Sequence, residues 1–308
     1  MFDIAIILIN YNSSQLSIDC INSIYDKTST EVNFQVIITD NCSENSDYKN
    51  LKDFCDIANF PNLKLLRNPI NSGFGGGNMY GFSEATATYV AFINNDTLFI
   101  NDCLAIVKKQ LDNNALIGIA GAQAYKEGNK FLISLDHFAS PAREILGRGF
   151  LELINPKKYP KRKKKYELPV QVNFVPGSFM FLRSADFIKA GGFDTQIFLY
   201  YEETDLCIRL ANIGKMAFLI PQAEFIHYHG ASTAKSLAIK KELKISLLYI
   251  MKKHYGSWGY HSVRTFLLIK YAFSSILKSK NRPLLGLIWR GASMRESMQY
   301  KQLKSTKV

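Results

Sequence analysis

Cysteine, acidic side chains and long apolar runs are all scarce in this chain of 308 residues. The five cysteines, Cys20, Cys42, Cys55, Cys103 and Cys207, are odd in number and scattered, with no CxxC pair. That argues against a disulfide framework and a zinc site, and for a reducing compartment. No stretch of 18 apolar residues occurs, so no membrane-spanning helix is expected. The opening MFDIAIILIN carries no basic leader and no small-residue cleavage site, and reads as a first strand rather than a signal peptide. The expectation is a cytoplasmic protein. Proline and glycine are not in excess, and no internal repeat is visible.

The shortage of acid is matched by a surplus of base, with a net charge of +12. Seven Lys or Arg fall in PKKYPKRKKKY (Pro156 to Tyr166), and residues 235 to 308 hold many more with few acids. Such patches attract nucleic acid, anionic lipid or phosphorylated substrates, although a solvated loop reads equally well for the first run. Hydrophobic residues make up 47% of the chain and charged ones 21%, the balance of a packed globular protein.

From residue 3 to about 125, apolar strands alternate with amphipathic segments: IAIILIN, a helix capped by Ser14, FQVIITD, a helix over 47–57, LKLLRN, a glycine cluster running into a helix that ends near Ala87, YVAFIN, a helix over 102–113 capped by Asn101, and IGIAGAQ. Alternation of this kind predicts an α/β fold, a mostly parallel central sheet with helices on both faces. The pattern weakens over 126–170, which reads as an insertion or loop. Strands return in VQVNFVPGSFMFLR and KMAFLIP around the helix YYEETDLCIRLANIG, and a basic helical extension follows.

Ligands of such sheets bind at the carboxyl ends of the strands. Here those ends are polar four times over: Asn10-Tyr11-Asn12, Asp40-Asn41, Arg67-Asn68 and Asn94-Asn95-Asp96. One polar end is ordinary turn chemistry; four on one edge suggest a single binding site. The cluster NSGFGGGNMYG (Asn71 to Gly81) would allow close backbone approach to a phosphate, or serve as a flexible turn. It is not a Walker A loop, since no Gly-Lys-Ser/Thr follows. Asp96 suits a hard divalent cation that shares its shell with substrate phosphates. In YYEETD, two adjacent acids open a helix, where the macrodipole favours them in any case, and Asp205 is expected to pair with Arg209. A functional acid here would be a general base whose pKa burial must raise. In FIHYHGAST, His227 and His229 alternate and so face one side of an extended segment.

Taken in order, ILINYNS, ITDNCSENS, RNPINSGFGGGNMYG, FINNDT, VPGSFMFLRSADFIKAGGFD, FLYYEETDLCIRL and IHYHGAS make the chain resemble glycosyltransferase family 2 over roughly residues 3–235, closest to the rhamnosyltransferase-like branch of bacterial surface-polysaccharide enzymes. The resemblance implies a GT-A fold over 1–235, with a nucleotide-sugar-binding half (1–125) and an acceptor and catalytic half (126–235), followed by the helical region 236–308. It implies an inverting transfer of a hexose or deoxyhexose from a nucleotide-diphosphate sugar to a glycan or polyprenyl-linked glycan. By position, Tyr11 and Asn12 would line the nucleoside pocket, and Asp40 would contact base or ribose. Asn71, Gly73 and Gly76 would approach nucleotide or sugar. Asn94, Asn95 and Asp96 replace the Asp-x-Asp motif, with Asp96 and His227 holding Mg²⁺ or Mn²⁺. Glu203 takes the place of the base, where the family more often has Asp, and Glu202 is the reserve. His229 has no counterpart.

The segment LKISLLYIMKKHYGSWGYHSVRTFLLIKYAFSSILK fits helices lying on an anionic membrane surface, which would make the protein peripheral on the inner face of the cytoplasmic membrane; a helical subdomain packed on the core or on a second subunit fits as well. A non-catalytic sugar-nucleotide-binding protein of the same fold is the competing reading, disfavoured by the joint presence of Asp96, Glu203 and His227. Nucleic-acid binding is not expected: the Pro156 to Tyr166 run has only two aromatics and no module matches.

Overall fold

The structure is a computed structural model that describes residues 1–228 and 236–305, with the side chains of 301 and 303–305 left out. His229 therefore lies outside the described residues. The chain begins β1 (Phe2–Asn10), α1 (Ser14–Lys27), β2 (Phe34–Asp40), α2 (Asn45–Ile57), β3 (Leu63–Arg67), α3 (Gly73–Phe82) and β4 (Ala87–Asn94). It continues with β5 (Thr97–Phe99), α4 (Cys103–Asn113), β6 (Ile117–Lys126), β7 (Lys130–Phe131), α5 (Pro141–Leu146) and α6 (Arg148–Ile154). Then come β8 (Val170–Val172), β9 (Phe179–Arg183), α7 (Ser184–Lys189), α8 (Glu202–Asn212) and β10 (Met216–His227). Helices α9 (Leu237–Leu277), α10 (Arg282–Trp289) and α11 (Met298–Ser305) follow.

The sheet is mixed and mostly parallel, in the order β3-β2-β1-β4-β9-β6-β10-β5. Strands β3, β2, β1 and β4 are parallel, so their carboxyl ends share one edge. Strand β9 runs antiparallel between β4 and β6. In β1, Ile4, Ile6 and Leu8 enter the core under α1, α2 and α4, and Ile7 enters the core under α3, α7 and α8. The period of two thus feeds both faces, which is why β1 reads as an unbroken apolar run. Each such side chain contributes about 1.5–3 kcal/mol by leaving water. A third core joins α9 and α10 to Ala139 and Ile197, so the C-terminal helices pack against the sheet domain.

Several local expectations change. Ser14 is the first helical residue of α1 rather than its cap, and its amide donates to Asp47 Oδ1 at 2.8 Å. Helix α4 is capped by Asp102, whose Oδ1 accepts from the Ala105 amide at 3.0 Å, because Asn101 Nδ2 is committed to the Gln222 carbonyl. The glycine cluster is not a loop: α3 begins at Gly73 and ends at Phe82, short of Ala87. Within 126–170 the chain forms α5 and α6, fixed by the Arg148 guanidinium on both oxygens of Asp136 (2.8–3.0 Å) and by Arg162 on Glu152 (2.9 Å).

Candidate active site

The polar strand ends do meet, and most of them bind one another. Asn10 Nδ2 donates to Asp40 Oδ1 (3.0 Å), Ser43 Oγ (3.1 Å) and Asp47 Oδ2 (2.8 Å). Asp40 is wholly buried; its Oδ2 accepts from the Ser43 amide at 3.2 Å and lies 3.7 Å from Arg67 Nε. Asn12 holds a left-handed turn (φ 51°), with its Oδ1 accepting from the Glu44 amide at 2.8 Å. Asn95 Nδ2 donates to Ser13 Oγ and Ser17 Oγ, both at 2.8 Å. These groups form a satisfied floor in which a buried polar atom costs little.

Above that floor opens a cavity of about 410 Å³, within the range of small-ligand sites. Tyr11, Asn71, Gly73, Asn94 and Asn95 all line it. Asp40, Asn12 and Gly76 do not; Gly76 packs on Ser72 inside α3. Gly73 is required where it stands. Its φ is +74°, and a Cβ there would lie 2.1 Å from the Phe198 carbonyl oxygen, which also accepts from the Phe74 amide at 2.9 Å.

Asp96 sits in the turn between β4 and β5. Strand β5 pairs antiparallel with β10, opposing Thr97 to His227, so the carboxylate meets the imidazole: Asp96 Oδ1 lies 3.2 Å from His227 Nε2. That buried oxygen has no hydrogen bond among the described residues. The carboxylate oxygen suits Mg²⁺ or Mn²⁺, and the imidazole nitrogen beside it is a ligand that Mn²⁺ accepts more readily than Mg²⁺. Among the described residues no third His, Cys, Asp or Glu completes a cluster, so such an ion would depend on substrate oxygens and water for its other positions.

The paired acids of α8 separate. Tyr200 and Tyr201 both adopt left-handed φ (69° and 73°), a conformation that costs large side chains on the order of 1–3 kcal/mol each. The chain then turns Glu202 into the interior and leaves Glu203 half-buried on a cavity wall. Glu202 is 1% exposed and its Oε2 has no hydrogen bond among the described residues. Burial, reinforced by the Glu203 charge, pushes its carboxyl well above the usual range. Glu203 lines a second cavity of about 280 Å³ with Asp136, Arg143, Arg148, Tyr200 and Tyr201. Its carboxyl is also raised by burial, and its Oε1 accepts from the Gly177 amide at 3.2 Å. A Cβ at Gly177 would fall 2.8 Å from that oxygen and 3.0 Å from Phe74 Cζ. Since Phe74 lines the larger cavity, Gly177 and Phe74 are the thin wall between it and Glu203.

Asp205 is structural. Burial pushes its carboxyl up, but hydrogen bonds from His254 (2.7 Å), Arg209 and Lys253 outweigh this and hold it at about 2. It ties α8 to α9. The larger cavity also draws on residues with no motif to mark them: Phe198 and Leu199 before α8, and Ser236, Ile239, Met298 and Gln302 from the C-terminal region. Glu242 fixes this wall, accepting from Ser297 Oγ at 2.7 Å and the Met298 amide at 2.9 Å.

A family profile described as Glycosyl transferase family 2 matches residues 5–187. Rhamnosyltransferase WbbL of Escherichia coli K12 is 27% identical over 229 residues, 71% of this chain and 83% of its own length. An N-acetylglucosaminyl-diphospho-decaprenol L-rhamnosyltransferase of Mycobacterium tuberculosis is 29% identical over 124 residues, 37% of this chain and 39% of that protein. Among solved structures, the mannosyltransferase PcManGT from Pyrobaculum calidifontis, in complex with GDP-Man and Mn²⁺, superposes with a TM-score of 0.58 at 13% identity, covering 96% of this chain and 89% of that one. That likeness concerns the fold: α/β and GT-A-like.

Proposed function

The chain belongs to glycosyl transferase family 2 and is a glycosyltransferase; from that premise we propose that it inverts the anomeric carbon of a nucleotide-diphosphate sugar while transferring the sugar to a hydroxyl of a lipid-linked glycan in cell-surface polysaccharide synthesis. The similarity to two rhamnosyltransferases favours a deoxyhexose as donor sugar. The observation that carries the reading is the position of Glu203: a carboxylate with a raised pKa, on a cavity of its own, one glycine and one phenylalanine away from the larger cavity.

The residues divide the work accordingly. Tyr11, Asn71, Gly73 and Asn94 receive the nucleotide sugar, and Asn12, Asp40, Gly76 and Asn95 hold the strand ends and helix that shape its bed. Asp96 and His227, next to the cavity-lining Asn94 and Asn95 through the β4–β5 turn, would hold Mg²⁺ or Mn²⁺, which when bound would neutralise the leaving diphosphate. Glu203 Oε2 takes the proton of an acceptor hydroxyl as that oxygen attacks the anomeric carbon from the face opposite the diphosphate. Its raised pKa makes it a stronger base than an exposed glutamate. The Gly177 amide on Oε1 aims the carboxylate, which position-sensitive proton transfer requires. The buried Glu202 supports the turn.

The acceptor we assign is a prenyl-diphosphate-linked sugar presented at an anionic membrane. Phe273, Ile276, Leu277 and Trp289 are largely exposed on α9 and α10 beside Lys270, Lys278, Lys280 and Arg282. No helix among the described residues is long and apolar enough to cross a membrane, whereas an apolar face rimmed by cations suits lying on one. Nucleotide preference is tested by thermal shift with UDP-, GDP- and dTDP-sugars and Mn²⁺ or Mg²⁺; a donor raises the melting temperature only with its metal. Full turnover by Glu203→Gln with the matching acceptor would sink the assignment of the base.

A further inference from the structure

Helix α9 is broken at Gly256, whose φ of 63° and ψ of −161° are not helical. The consequence is a reversal. Lys244 Nζ lies 5.7 Å from the Tyr271 ring centroid, whereas a straight helix would separate the two residues by roughly 40 Å. The folded-back halves and the start of α10 enclose a cavity of about 310 Å³ lined by Lys240, Lys244 and Lys270, with Ser274 and Asn281 at its wall.

Three features of this cavity point to an anion. From residue 243 to residue 295 the chain has ten Lys or Arg and no Asp or Glu. None of the three lysines has an ion pair with a carboxylate among the described residues. Lys244 is partly buried, and burial lowers its pKa; Glu144 offsets this, and Lys270 adds repulsion. A partly desolvated ammonium group beside a second, exposed one is stabilised when an anion neutralises both. Ser274 Oγ and Asn281 Nδ2, joined at 2.5 Å, add neutral polar groups.

The surroundings narrow the class of anion. On one side Phe273, Ile276 and Leu277 stand exposed on the same stretch of α9 as Lys270 and Ser274. On the other, Leu243 lines both this cavity and the one that contains Glu203. We propose that Lys240, Lys244 and Lys270 bind the diphosphate of a prenyl-diphosphate-linked acceptor, with the prenyl chain on the apolar tip and the sugar directed past Leu243 toward Glu203. The acceptor class rests on the functional reading above; the anion site does not.

The test is direct binding to the full-length protein by titration calorimetry, with inorganic pyrophosphate and farnesyl diphosphate as probes and a saturating donor nucleotide present to fill the larger cavity. Farnesyl diphosphate is expected to bind at least tenfold more tightly than pyrophosphate. Lys244→Gln/Lys270→Gln should weaken it at least tenfold, and Lys270→Gln alone, a change at an exposed position, by a smaller factor. Lys163→Gln/Lys164→Gln, which removes the same charge from the basic run over 156–166 that does not line this cavity, should leave it bound. Wild-type affinity in the Lys244/Lys270 variants overturns the site, as does an equal loss in the Lys163/Lys164 variant. Equal affinity for the two probes overturns the lipid assignment in favour of a free-phosphate site. Lysine-dependent farnesyl diphosphate binding without sugar transfer to any prenyl-diphosphate sugar upholds the site and removes the functional reading instead.

Discussion

Asp96 Oδ1 and His227 Nε2 lie 3.2 Å apart because strand β5, only three residues long, pairs antiparallel with the end of β10. The Tyr228 amide donates to the Asp96 carbonyl at 3.0 Å and locks the register. Asp96→Ala should therefore abolish sugar transfer and remove the metal-dependent part of donor binding, with His227→Ala lowering both by about tenfold or more. Donor titration with and without Mn²⁺ checks this; a metal-dependent Kd that survives Asp96→Ala would contradict it.

Glu203 and Glu202 are separable. Glu203→Gln should reduce kcat by about 10²-fold or more while leaving the donor Kd near wild type. In the native enzyme the acid limb of kcat/KM should lie above the ordinary carboxylate range, because the base must be ionised and burial raises its pKa. A pH–rate profile decides both points.

Glu202→Gln is expected to keep turnover and to stabilise the protein at neutral pH. The sign follows from linkage: a carboxyl whose folded pKa is raised favours the folded state below its unfolded pKa, and that stability is lost as pH rises toward the folded value. The gain in Tm should be clear at pH 7.5 and small at pH 4.5.

Asp205 has the opposite sign. Its carboxyl is held at about 2 against an ordinary 3.8, which corresponds to roughly 2 kcal/mol of stability present above about pH 4 and lost as pH falls toward 2. Asp205→Asn leaves His254, Arg209 and Lys253 without their shared partner and should cost about 3 kcal/mol. Denaturant titrations at pH 7 and pH 3 measure both.

Phe273→Glu/Leu277→Glu should abolish co-sedimentation with vesicles containing anionic phosphatidylglycerol and leave the melting temperature within about a degree, since both side chains are exposed. Retention equal to wild type would exclude this tip as the membrane contact.

Much of this architecture was legible in the chain. Buried parallel strands demand continuous apolar runs, so β1, β2, β4 and β6 declare themselves, and polar strand ends marked the edge where the larger cavity opens. Direction was harder to read. Nothing local distinguishes Asn94, which faces the larger cavity, from Asn95, whose amide is also bound to Ser13 and Ser17. Adjacent helical positions such as Glu202 and Glu203 diverge in any case, but which of them is buried follows the entry into α8, where two tyrosines hold a conformation their type rarely adopts. Thr97–Phe99 is too short for periodicity to reveal, and Ser236, Ile239 and Met298 reach the cavity only through long-range packing of α9 and α11.

The hydrogen-bonded floor formed by Asn10, Asp40, Ser43 and Asp47 has an evolutionary corollary. A foundation whose polar atoms answer one another makes few demands on the side chains standing above it. Exchanges at Tyr11, Asn71 or Asn94 would change the lining of the cavity while the strands and helices beneath keep their register. On the proposed reading, donor preference would drift from one sugar nucleotide to another by changes to a thin veneer, without the protein having to learn to fold again.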